Sequence, residues 1–175
     1  VLGLLILAAN LLAPPFEAAR SALLPEILPG DRYPVAMSVQ AAVHLAGTKT
    51  SRGRIDVAVN VPAGLPQIQA DAHQLTQVFT NLLINAFEAM SGAGRVVIRA
   101  DTARIEDGAE GRDAVVVEVR DDGPGMPPDT ADRVFSPFFT TKAQGSGLGL
   151  SIVRKIVDAH DGRIDLETAQ GSGTT

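Results

Sequence analysis

Residues 71–90 read DAHQLTQVFTNLLINAFEAM, and their reading decides the fold. The stretch is mostly apolar and predicts a helix over 72–90. Asp71 stands at the N-cap, and Ser91-Gly92-Ala93-Gly94 supplies the glycine expected just past a helix end. Within it Gln74, Gln77, Asn81, Asn85 and Glu88 recur at three- and four-residue steps, so they share one narrow stripe. A merely solvated face usually carries Lys, Glu and Arg, whereas Asn is a poor helix former that such a face does not need. An Asn carbonyl oxygen can join phosphate oxygens and waters around Mg²⁺ without adding negative charge beside a triphosphate, which makes Asn85 the metal candidate.

On the N-terminal side of this helix, Ile55 to Val61 alternates with period two and reads as a half-buried strand ended by Pro62, Gly64 and Pro66. On the C-terminal side, Arg95 to Ala103 and Ala114 to Arg120 are Val- and Ile-rich strands joined by a polar, hairpin-like loop. A second long helix is expected over 148–159 and another strand over 163–168. Helices segregated against a largely antiparallel sheet make an α+β fold, a two-layer α/β sandwich, over 54–175.

Three further segments carry chemistry. Asp121-Asp122-Gly123-Pro124-Gly125 follows a strand directly. A carboxylate there can accept from an exocyclic amine, and the glycines let backbone approach a flat base, although D-x-G-x-G alone is a common turn. Arg133-Val-Phe-Ser-Pro-Phe-Phe139 fits a small aromatic core cluster equally well. Thr140-Thr141-Lys142 then leads into Gly145-Ser146-Gly147-Leu148-Gly149-Leu150 ahead of a helix. Free backbone N–H groups and the helix dipole favour phosphate there, with Lys142 as a nearby mobile cation. The loop is not G-x-x-x-x-G-K-[ST], and Leu150 stands where G-x-G-x-x-G needs glycine.

The ordered set of polar-stripe helix, D-x-G-x-G, aromatic segment, G-x-G-x-G before a helix and Gly171-Ser-Gly173-Thr174 resembles the N, G1, F, G2 and G3 boxes of histidine kinase catalytic domains. The look is of the nitrogen-regulation type, with TNLLINAFEAM, DDGPGM, FSPFFTTK and GSGLGLSIVRKIVDAH. The resemblance implies the Bergerat ATP-binding fold with ATP and Mg²⁺. It implies Asn81 and Asn85 near phosphates and metal, Asp121 on the adenine amine, and Gly123 and Gly125 making room for the ring. Phe138 and Phe139 belong to the ATP lid, Gly145, Gly147 and Gly149 border the phosphates, and Thr174 lies near the adenine. Glu88, Thr140, Thr141, Leu148 and Leu150 are counted in the same site, and Asn81, Asn85 and Lys142 in its catalytic group.

Gyrase, chaperone and mismatch-repair ATPases of the superfamily place Glu four residues before the metal Asn to activate water, and Asn81 stands there instead. The expectation is slow hydrolysis and phosphoryl transfer to an external nucleophile. None of His44, His73 and His160 lies in an H-E-x-x-x-P-like helix, and His73 and His160 read as surface residues. The acceptor is therefore expected on a separate dimerisation and phosphoacceptor domain, with a response regulator downstream. The alternatives are an anti-sigma-factor-like serine kinase, or a transporter fragment joined to a silent nucleotide-binding module. The sequence stops at Thr175, where such kinases usually continue into a last strand, and the expectation is that one sheet edge is unpaired.

Residues 1–47 follow a different pattern. Val1 to Ala13, VLGLLILAANLLA, is uncharged and shorter than the roughly 20 residues a bilayer-crossing helix needs, and it reads as a truncated membrane helix. With Pro15, Ala19, Arg20, Leu24, Pro25, Glu26, Leu28 and Pro29, the segment resembles a fragment of a major facilitator superfamily transporter. The expectation is an N-terminal hydrophobic helical segment able to associate with a membrane, a junction over 48–53, and a cytoplasmic catalytic domain over 54–175. A net charge of −5 without clustered Lys and Arg excludes a nucleic-acid surface. The absence of cysteine removes disulfides and thiolate chemistry and fits a reducing compartment.

Overall fold

A computed structural model describes residues 5–8, 32–33, 35–49, 54–62, 64–105 and 112–175. In chain order the elements are β1 (Leu5–Ala8), β2 (Arg32–Tyr33), α1 (Val35–Lys49), β3 (Arg54–Asn60), β4 (Ile68–Gln69), α2 (Ala72–Ala89), β5 (Ala93–Ile105), β6 (Arg112–Asp121), α3 (Pro128–Ala131), α4 (Gly149–Ala159) and β7 (Arg163–Ile164). The main sheet runs β3-β5-β6-β1-β7, and β2 with β4 forms a small separate ribbon. The β3–β5 pair is parallel, with α2 in the crossover, and the other pairs are antiparallel.

Period-two burial along β5 and β6 sends Val96, Ile98, Val115 and Val117 to one face, where they meet the helices in a single core. Ala114 and Val116, on alternate positions of β6, form a second small cluster with Ala103 and Ile105. From α2 the core takes Leu75, Val78, Phe79, Leu83 and Phe87, and from α4 Val153, Ile156 and Val157, each set at helical spacing. The start of α2 is fixed by Asp71, whose Oδ1 accepts from the backbone N–H groups of His73 at 2.8 Å and Gln74 at 3.0 Å.

One expectation for residues 1–47 is corrected. Leu5–Ala8 is a strand rather than part of a helix, paired from Leu5↔Val117 to Ala8↔Ala114 on β6 and with Ile164 and Arg163 on β7. A short apolar run satisfies its backbone groups as well in a sheet as in a helix, and the open flank of β6 supplies the partner. Of the described residues in this segment, helix α1 packs with the domain over 54–175. Val35, Val39, Ala42 and Ala46 of α1 are buried in the same core as α2. No helix among the described residues is long and apolar enough to cross a membrane. The transporter-like positions Pro15 to Pro29, the loop over 106–111 and the junction over 50–53 lie outside the described residues.

The packing predicts a rank order. Leu83→Ala, at a fully buried position, should destabilise by ~2–5 kcal/mol, and Asp71→Ala, which removes the cap, by ~1 kcal/mol. Urea unfolding of the two variants measures this, and a larger loss from the cap than from the core contradicts the described packing.

Candidate functional site

A cavity of about 600 Å³ opens where the polar stripe of α2 faces the start of α4. One wall is Asn81, Asn85 and Glu88, spaced along a single face of α2, and the opposite wall is Gly145, Gly147, Gly149 and Leu150. Val119, Met126, Ile164 and Leu166 supply an apolar part, and Asp121, Gly125 and Thr174 close the end beyond β6.

Asp121, the last residue of β6, is 9% exposed. Its Oδ1 accepts from Gly123 N–H at 2.9 Å and Thr174 N–H at 3.2 Å, and its own N–H donates to the Thr174 carbonyl at 2.8 Å. Burial pushes the carboxyl above the usual carboxylate range. The two backbone donors oppose that rise, and the neighbouring Asp122 adds to it. The loop around Thr174 is tied down further. Thr168 Oγ1 accepts from Met126 N–H at 2.9 Å and donates to the Gly173 carbonyl at 3.1 Å, and Gly171 N–H reaches the Pro124 carbonyl at 2.7 Å. Gly125 has φ +64°, and a Cβ there would run into the Ala169 carbonyl, so glycine is required where this loop crosses the D-x-G-x-G turn.

The aromatic segment is fixed from outside the cavity. The Arg154 guanidinium of α4 lies 5.7 Å from the Phe135 ring centre, and that of Arg133 lies 4.5 Å from Phe139. Phe138 N–H donates to the Gly147 carbonyl at 2.9 Å, closing residues 138–147 into a loop whose ends touch. At Gly147, with φ +67°, any side chain would strike the Phe138 backbone. Beyond the loop α4 begins, and Asn81 Nδ2 donates to the Gly149 carbonyl at 3.3 Å, tying the polar face of α2 to the glycine run.

Lys142, at the turn of this loop, reaches back to α2. Its ammonium donates to Asn85 Oδ1 at 2.9 Å and to Glu88 Oε2 at 2.5 Å. These two oxygens, on successive turns of one helix face, thus already accept a cation. A neutral amide oxygen beside a carboxylate is a donor set that suits Mg²⁺ accompanied by phosphates and water. Asn85 would hold the ion, as the sequence suggests.

The same architecture recurs in known proteins. Residues 70–175 match the family model described as histidine kinase-, DNA gyrase B- and HSP90-like ATPase. The sensory histidine kinase/phosphatase NtrB of Rhodobacter capsulatus is 47% identical over 112 residues, 61% of this chain and 32% of that protein. The sensor histidine kinase ZraS of Escherichia coli is 43% identical over 111 residues, 63% of this chain and 22% of its own length. Among solved structures, the catalytic domain of histidine kinase ThkA superposes with a TM-score of 0.65 at 31% identity, covering 81% of this chain and 89% of that one. ThkA in complex with the response regulator TrrA superposes with a TM-score of 0.61 at 30% identity, over 81% of this chain and 38% of that one.

The chain belongs to this ATPase family. It spans about a third or less of the length of the curated relatives just described. Against the family pattern, the structure brings most of the residues singled out in the sequence to one cavity, including Phe139, Thr140, Thr141 and Lys142. Three do not line it. Phe138, with φ +63°, turns outward and is 76% exposed, because that backbone angle rotates its side chain away from the turn that carries Phe139. Leu148 serves as the N-cap residue of α4, and Gly123 acts through Asp121 by donating its N–H.

Sequence reading missed the apolar contributions of Met126, Ile164 and Leu166, and the role of Thr168. It also treated His160 as an ordinary surface residue. His160 is half-buried: Nε2 accepts from Asp71 N–H at 3.1 Å, while Nδ1 lies 2.8 Å from the Ile156 carbonyl, so the imidazole joins the end of α4 to the start of α2.

The raised Asp121 carboxyl sets a pH trend. The folded protein holds this proton more tightly than the unfolded chain. Its contribution to stability is therefore fully present below 3.8 and is lost as pH rises through the raised folded value. Asp121→Asn removes that dependence. Relative to wild type, the variant should be more stable near pH 7 than below about pH 4, and denaturation at the two pH values checks the sign.

Proposed function

We propose that this chain is the ATP-binding phosphotransfer module of a sensor histidine kinase. It holds ATP with Mg²⁺ and presents the γ-phosphoryl group to a histidine on a separate dimerisation and phosphoacceptor domain, from which a response regulator is served. The observation that carries this reading is Asn81, an amide that donates to the Gly149 carbonyl at the position where a hydrolytic relative would need a base. The neighbouring carboxylate, Glu88, is engaged with the Lys142 ammonium.

Each wall has a part in this reading. Asp121, oriented by Gly123 and Thr174, accepts from the adenine amine, while Gly125 and the apolar residues leave space for the ring. The first turn of α4 turns unpaired backbone N–H groups and its positive dipole end toward the phosphates, and Lys142 adds a movable charge. Bound Mg²⁺ supplies neutralisation of charge on the transferring phosphoryl group. Asn85 would be a protein ligand to it, and Phe139 with residues 138–147 forms the lid that excludes water. The names of the relatives, sensor kinases in each case, support this role, as does the ThkA complex with its regulator. The module belongs in the cytoplasm, where ATP is found.

Radiolabelled ATP and a supplied phosphoacceptor domain test the proposal. The label should move to the acceptor as an acid-labile, base-stable phosphoramidate, and ATP turnover without acceptor should stay slow. An acid-stable phosphoester on the acceptor supports the serine-kinase alternative, and fast turnover by the chain alone contradicts the assignment. Asn85→Ala should weaken Mg²⁺-dependent ATP binding by about tenfold or more, in keeping with the ~1.5–3 kcal/mol of a bond to a charged group, and calorimetric titration reads it.

A further inference from the structure

Lys142 and Glu88 are 54 residues apart in sequence, on the lid loop and on α2, yet their side chains are in direct contact. Asn85 and Glu88 stand three residues apart on one helix face, so their oxygens converge, and two of the three ammonium donors of Lys142 are spent on them. The backbone of Lys142 is held separately. Its N–H donates to Thr140 Oγ1 at 3.1 Å, and its carbonyl accepts from Gly145 N–H at 3.1 Å. The ammonium can therefore swing on its four-carbon stem without the turn opening.

We propose that Glu88 is a positioning residue that acts through Lys142. With Asn85 it parks the ammonium at the place the divalent cation takes, so that lid lysine and metal are alternative occupants of the same two oxygens. This rests on the nucleotide reading above and deepens it. Two cations cannot share oxygens whose reach is a single coordination shell, so a metal ion arriving alone has to displace Lys142. Nucleotide phosphates offer the ammonium a new partner and leave Asn85 and Glu88 to the metal. Both side chains are about half exposed, at 40% for Lys142 and 44% for Glu88, so the pair is weak enough to exchange. The consequence is a site that discriminates against metal without nucleotide.

Mn²⁺ binding followed by electron paramagnetic resonance on the whole chain tests this without any activity readout. In the absence of nucleotide, Lys142→Met should bind Mn²⁺ more tightly than wild type, by up to about fivefold, the range an exposed ion pair supports. Glu88→Gln should bind it more weakly. With Mn²⁺ and a non-hydrolysable ATP analogue together, Lys142→Met should be the weaker binder, because the ammonium then serves the phosphates. In a second readout, trypsin should cut after Lys142 faster in nucleotide-free Glu88→Gln than in wild type, since cleavage needs a free lysine head. Unchanged or weaker Mn²⁺ affinity in Lys142→Met, or unchanged cleavage in Glu88→Gln, overturns the exchange. Failure of wild type to bind the Mn²⁺–analogue complex overturns the nucleotide reading instead, so the two are separable.

Discussion

A helix that buries Leu75, Val78, Phe79, Leu83 and Phe87 against a sheet can present polar groups in register only along its other side, and α2 is held in that rotation by the whole core. Turning it by one residue, about 100°, would bring Asn85 toward the valines of β5 and β6 and carry buried phenylalanine toward solvent. The placement of Asn81, Asn85 and Glu88 at one wall of the cavity thus follows from packing rather than from contacts among those side chains. The polar stripe has no freedom independent of the core. This is why α1 matters to the site, since Val35, Val39, Ala42 and Ala46 belong to the same cluster that fixes the helix.

The far end of the cavity obeys a different constraint. Asp121 is buried with a raised carboxyl, and what orients it is backbone, from the adjoining turn at Gly123 and from the distant loop at Thr174. Backbone donors cannot swing away as side chains do, so one oxygen is held while the carboxylate stays available for recognition. The loop over 138–147 lies between these two rigid ends. It is anchored by the Phe138–Gly147 pair and by the Arg133–Phe139 contact, with Phe135 just ahead of it held by Arg154, while the Lys142 side chain that reaches from it to α2 remains movable.

How much of this the sequence disclosed depends on the range of the interaction concerned. Helix α2 was legible because its cap, its period and its closing glycines all agree, and the structure places it at Ala72–Ala89, within one residue of the expected end. Strand β3 was legible from alternation, and β5 and β6 from their Val and Ile content. The parallel pairing of β3 with β5 was not, because local alternation carries no information on direction. The apolar residues of β1 fit a helix and a strand alike, and only the flank of β6 decides between them. In the site, residues inside the boxes were singled out through the resemblance to histidine kinase catalytic domains, and most of them line one cavity. The Glu88–Lys142 contact and the His160 bridge span 54 and 89 residues, and no local pattern encodes them. The outward turn of Phe138 was not legible, because its positive φ goes with the closing pair with Gly147, nine residues away.

The distribution of charge at the cavity accounts for the form of the proposed chemistry. Among the residues that line it, Lys142 is the one Lys or Arg, set against Glu88, Asp121 and Asp165. A polyphosphate entering this space meets a wall that is net negative by side chains alone, in a chain whose overall charge is −5. Attraction must come from groups outside the formal count: the N–H groups at the start of α4, the helix dipole, and cations that arrive with the ligand. Asn85 fits that scheme because it offers oxygen without charge, and Asn81 fits because a carboxylate there would deepen the deficit besides activating water. The two asparagines on α2 therefore meet one requirement, which is to keep a polar wall that neither repels a polyanion nor takes a proton from water.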